Sequence, residues 1–68
     1  MDARTKELVA LGASVAGRCQ PCFRHHLAKA RELGIEAEDI QEAIKLGARI
    51  SEVGGQRMVD FVDVVIKE

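Results

Sequence analysis

The sequence has no tryptophan and no tyrosine, and its aromatic side chains are Phe23 and Phe61 alone. Single-strand nucleic-acid recognition built on base stacking is therefore excluded. A charge of one sign is missing too. Ten lysines and arginines stand against eleven acidic residues, a net charge of −1 that provides no polyanion-binding surface. The longest uncharged run, Leu8 to Gly17, is about half of the roughly 20 residues that span a bilayer, so no membrane partner is expected. The residues before it, Asp2, Arg4, Lys6 and Glu7, carry no net positive charge, unlike the start of a signal peptide. The expectation is an intact cytoplasmic protein. No stretch alternates polar and apolar residues with period two, no Asn-Gly or Asp-Gly turn occurs, and no repeat is present.

What is there is a chain of 68 residues, 47% hydrophobic and 31% charged, read as one soluble domain over 1–68. A core in a chain below about 70–80 residues contributes only about 3–5 kcal/mol, so a disulfide, a metal or a partner subunit is needed.

Leu8, Leu11, Gly12 and Val15 share one helix face, which predicts a first helix over about 3–16 ending at Gly17. After Gly17-Arg18, the segment Cys19-Gln20-Pro21-Cys22 opens a second helix, since proline suits a first turn. Phe23, Leu27, Ala30 and Leu33 form its stripe, and Gly34 stops it. A third helix starts near Glu36, with Glu36, Glu38 and Asp39 at its positive end and Ile40, Ala43, Ile44, Gly47 and Ile50 on its apolar face. Gly54-Gly55 predicts a break or kink, unless close backbone packing explains the pair, and a fourth helix over 56–66 carries Met58, Phe61, Val62 and Val65. The class is all-α, a small antiparallel helical module. Val59, Val64 and Ile66 widen the apolar surface beyond what a monomer of this size buries, so the core is completed by homo-oligomerisation.

Cys19 and Cys22 fall at the start of the second helix, where free N–H groups and the helix dipole stabilise a thiolate, and Arg18 adds a cation. A disulfide between them closes a ring worth only roughly 2 kcal/mol, so the spacing favours reversible redox chemistry over a structural bridge. His26, four residues after Cys22, lies on the same helix face and can take the thiol proton. His25 lies on the flanking face and reads as solvated. If the first two helices pack antiparallel, Glu7 comes near the cysteines, where a carboxylate orients the imidazole or shuttles its proton. By itself Glu7 reads as a solvated residue at a helix start. Asp60, Asp63, Lys29, Arg31 and Glu32 read as solvated faces. The alternative for Cys19, Cys22 and His26 is a metal site, although four ligands from one short turn would be strained.

Glu7, eleven residues, Cys19-Gln20-Pro21-Cys22, three residues and His26 together resemble the signature of the alkylhydroperoxidase D-like proteins of the carboxymuconolactone decarboxylase family. The stretch from Gly34 to Ile44 is similar to that family's entry into its next helix, and the resemblance covers about residues 4–54. It implies an all-helical, interlocked oligomer with thiol-dependent peroxidase or disulfide oxidoreductase activity. Cys22 would then attack the peroxide, Cys19 would condense with it, and His26 with Glu7 would relay protons. The implied partners are a hydroperoxide or disulfide substrate and a dithiol reductant system, with no cofactor. Pro21 stands where peroxidase members often carry a histidine, so one relay position is absent. Decarboxylase or other proton-transfer chemistry, which needs no cysteine pair, is the remaining alternative.

Overall fold

Asp2 begins the first helix. Its carboxylate accepts the Thr5 backbone N–H at 2.7 Å, which satisfies one of the unpaired donors of a helix start and holds the Asp2 pKa below the ordinary carboxylate value. The computed structural model of the chain describes the backbone of residues 1–67 and the side chains of residues 1–54 and 65. Helix α1 spans Ala3–Ala16, α2 spans Gln20–Glu32 and α3 spans Ala37–Lys67; among the described residues there is no strand.

Both links are the same six-residue turn. After α1, the Arg18 N–H donates to the Val15 carbonyl and the Cys19 N–H to that of Ser14; after α2, the Gly34 N–H donates to Arg31 and the Ile35 N–H to Ala30. This pattern closes a helix through one left-handed residue. In the second turn that residue is Gly34, at φ +71°, but in the first it is Arg18, at φ 54°. The expected stop at Gly17 holds, since α1 ends at Ala16 with Gly17 as its cap, but the left-handed residue is not the glycine. Gly17 is an ordinary right-handed cap at φ −83°, and the left-handed position falls one residue later.

Helix α1 packs on both other helices. With α2 it is antiparallel, as the turn between them requires. With α3 it runs in the same direction: Arg4 meets Glu36 and Asp39 at one end, and Gly12 meets Ala43 and Gly47 two turns further along both helices. The expected antiparallel module is therefore corrected for this pair, because α2 serves as the return leg. The α1–α3 crossing is a glycine contact. A Cβ on Gly47 would lie 3.0 Å from the Gly12 carbonyl carbon and closer still to its oxygen, nearer than real Cβ atoms come.

Leu11, Ala30, Ile35 and Ile40 form the buried core, with Leu8, Phe23, Leu27, Ala43 and Ile44 packed around it. Of the stripe residues outside it, Val15 lies near the end of α1, Leu33 is the cap of α2 and is half exposed, and Ile50 lies on α3 beyond the core and is also exposed. Ile35 takes the place of Leu33, because the turn through Gly34 folds it back beside Ala30.

The expected break at Gly54-Gly55 is also corrected: α3 runs through it as one helix. Two interior glycines cost about 1 kcal/mol each, but ending the helix there would forfeit hydrogen bonds and demand new caps, and neither proline nor a capping side chain follows. Among the described residues no neighbour requires the glycine at 54, since a Cβ there meets none of them within 4 Å. The side chains of Met58, Val59, Asp60, Phe61, Val62, Asp63, Val64 and Ile66 lie outside the described residues. Val65 is exposed.

Candidate active site

Cys19 caps α2. Its Sγ accepts the Cys22 backbone N–H at 3.3 Å, in the place a serine or aspartate oxygen usually takes. The same sulfur is bonded to Cys22 in a disulfide, with Cα atoms 5.3 Å apart. The first helical turn brings residues three apart onto one side, and Pro21 in that turn leaves no backbone N–H competing for the sulfur. Cys22 faces solvent, whereas Cys19 is partly covered.

Glu7 is the buried carboxylate of the molecule's described part, at 7% exposure. Its Oε2 lies 2.7 Å from His26 Nδ1 across the α1–α2 contact. One turn further along each helix, Leu11 and Ala30 are fully buried, so the same two faces that build the core also bring acid and imidazole together. A carboxylate held against Nδ1–H leaves Nε2 as the proton-accepting atom. His26 is four residues along α2 from Cys22 on one face. His25 is exposed, its ring edge-on to that of His26 with centroids 5.0 Å apart.

The structure thus pairs Glu7 with His26 across the α1–α2 contact and Cys19 with Cys22 at the start of α2, with Cys22 one helical turn before His26. It does not gather a metal site: among the described residues no three His, Cys, Asp or Glu side chains converge, and both thiols are engaged with each other. The solvated readings of Lys29, Arg31 and Glu32 match their exposure, whereas the solvated reading of Glu7 does not. Sequence reasoning gave no structural part to Ser14 and none beyond charge to Arg18. Ser14 is buried, donates from Oγ to the Ala10 carbonyl at 2.6 Å and accepts the Cys19 N–H on its own carbonyl, so it ties the site to the end of α1. The available signal was the helix end itself: a helix closing at Ala16 places Arg18 at the left-handed position.

The family model for carboxymuconolactone decarboxylases matches residues 1–65. The chain belongs to the carboxymuconolactone decarboxylase family. No curated protein and no solved structure matches the chain. Within this family member the matched region contains all four site residues and both Schellman-type turns. No described helix of it is long and apolar enough to cross a membrane.

Proposed function

We propose that this family member is a thiol-dependent peroxidase or disulfide oxidoreductase, working in a compartment that keeps thiols reduced. The observation that carries the reading is the Cys19–Cys22 disulfide at the start of α2, one helical turn before an imidazole held by a buried carboxylate. In the reduced protein, His26 takes the Cys22 proton. The Cys22 thiolate attacks the outer oxygen of a hydroperoxide, the O–O bond breaks, and the departing alkoxide takes that proton from His26 to leave as an alcohol. Cys19 then attacks the sulfenic sulfur of Cys22, the S–S bond forms, and hydroxide leaves as water with the Cys19 proton. Two electrons from a dithiol restore both thiols.

Purified protein supplied with a dithiol is expected to consume an alkyl hydroperoxide, and Cys22→Ser to abolish turnover. Glu7→Gln, which keeps the shape but loses the charge that orients His26, is expected to lower the rate about 10- to 100-fold. Undiminished turnover by Cys22→Ser would sink the proposal. The Glu7–His26 pair also suits proton-transfer chemistry without redox, as the family's decarboxylase name suggests. That reading requires a Cys19→Ser/Cys22→Ser double variant to keep full activity.

Homo-oligomerisation belongs to the same proposal. The described core holds four buried apolar residues, while Val9, Leu46, Ile50 and Val53 are more than half exposed, three of them lining the groove between α1 and α3. A second copy of the chain covers that surface. Sedimentation equilibrium at micromolar concentration is expected to give a multiple of the 7.4 kDa chain mass, and a clean monomer refutes it.

A further inference from the structure

A cleft of about 370 Å³ opens on the Cys19 side of the disulfide. Its wall is apolar at Val15, Phe23 and Ile44, and Arg18 and Arg24 stand on it beside Cys19; Cys22, His26 and Glu7 do not line it. The two sulfurs therefore face different surroundings. Cys22 meets open solvent near the imidazole, and Cys19 meets a small-ligand-sized cavity with two guanidinium groups.

Arg18 is the informative residue. The turn it occupies is built again after α2 with Gly34 at the left-handed position, so the geometry itself does not need an arginine. A side chain at φ 54° is disfavoured, and such outliers point to a use for the residue that holds them. The N–H groups of Arg18 and Cys19, bonded to Val15 and Ser14 at 3.1 and 2.9 Å, fix this cation's backbone directly beside the sulfur. Among the described residues, neither Arg18 nor Arg24 is in an ion pair.

Resting on the redox reading above, we propose that this cleft receives the reductant, and that the reductant is a low-molecular-weight thiol carrying a carboxylate. Arg18 and Arg24 bind the carboxylate, and the thiolate attacks Cys19 Sγ. A new S–S bond forms between reductant and Cys19 as the Cys19–Cys22 bond breaks, and the electron pair leaves on Cys22, which takes a proton at the His26 side. A second thiolate of the same class attacks the reductant sulfur of this mixed disulfide. That step releases the oxidised reductant and leaves Cys19 as a thiolate stabilised by the Cys22 N–H, later protonated. Two thiols are oxidised to one disulfide and one protein disulfide is reduced to two thiols.

The test is reduction of the oxidised full chain by 3-mercaptopropionate, 2-mercaptoethanol and cysteamine, with rate constants expressed per thiolate. The anionic thiol is expected to react about threefold to tenfold faster than the neutral one at low salt and the cationic one more slowly, the preference shrinking as salt rises. Arg18→Gln and Arg24→Gln are each expected to lower the anionic-to-neutral ratio, and Arg24→Glu to invert the order of anionic and cationic thiols. Mass spectrometry of the acid-quenched reaction is expected to find the adduct on Cys19. Equal rates for all three thiols, ratios unmoved by the arginine variants, or an adduct on Cys22 overturn this proposal while leaving peroxidase turnover with another dithiol intact. Failure of every thiol to open the disulfide, together with absent hydroperoxide turnover, overturns it along with the redox reading.

Discussion

Adding one methyl group at either of two glycines of α3 is expected to change stability in opposite directions. At Gly47 a Cβ would sit 3.0 Å from the carbonyl carbon of Gly12 and 3.1 Å from its Cα, and closer still to the oxygen. These are backbone atoms in the middle of α1, so no side-chain rotation relieves the clash and the helices must separate. Overpacking of this kind typically costs about 1–3 kcal/mol, and more where the backbone cannot yield. With both partners backbone the cost lies at or above the upper figure, and the better helix propensity of alanine returns about 1 kcal/mol, leaving Gly47→Ala destabilised by about 2 kcal/mol or more. At Gly54 the Cβ meets none of the described residues within 4 Å, so the propensity gain acts, and Gly54→Ala is expected to stabilise by about 1 kcal/mol. Urea unfolding followed by circular dichroism, at one fixed protein concentration because assembly contributes to apparent stability, measures both. A Gly47→Ala variant as stable as the wild type would refute the glycine crossing and with it the same-direction packing of α1 and α3.

Arg18→Gly removes a left-handed side chain whose backbone cost is about 1–2 kcal/mol, offset in part by glycine's greater freedom when unfolded, about 0.5–1 kcal/mol. Thermal unfolding is expected to show a modest rise in Tm, and a fall would contradict the strain assigned to Arg18. Acid is expected to destabilise the N-terminal ends of α1 and α3. The Thr5 N–H lowers the Asp2 pKa, and the Glu36 backbone N–H, followed by the Arg4 guanidinium, lowers that of Glu36. Both folded values lie below their unfolded ones, so this stabilisation is complete above the unfolded carboxylate range of about 4 and is lost as pH falls through the folded values. Melting curves collected downward from about pH 6 are expected to steepen below about pH 4, and an Asp2→Asn/Glu36→Gln variant, which keeps a good N-cap, to flatten that dependence.

Composition and periodicity were enough to specify α1, α2 and the start of α3 with their core faces, but not that α3 runs on through Gly54-Gly55. The limits of α1 follow from Asp2 before it and the apolar phase within it, and those of α2 from Pro21 and Gly34, because caps and breakers act over a few residues. The positions of Glu7, Cys19, Cys22 and His26 were equally legible, since Cys22 to His26 is one helical turn and Cys19 to Cys22 one first turn. Tertiary structure decided the rest. That Glu7 is buried against His26 depends on how deeply α1 settles on α2, which no local pattern states. The glycines behave alike in sequence, yet Gly47 is a helix crossing, Gly54 is open helix and Gly17 yields the left-handed position to its neighbour. Local spacing measures distance along the chain; only packing brings Gly12 to Gly47 and opens a cleft lined by Arg18 beside Cys19, because those contacts join residues far apart or fix directions that periodicity leaves free.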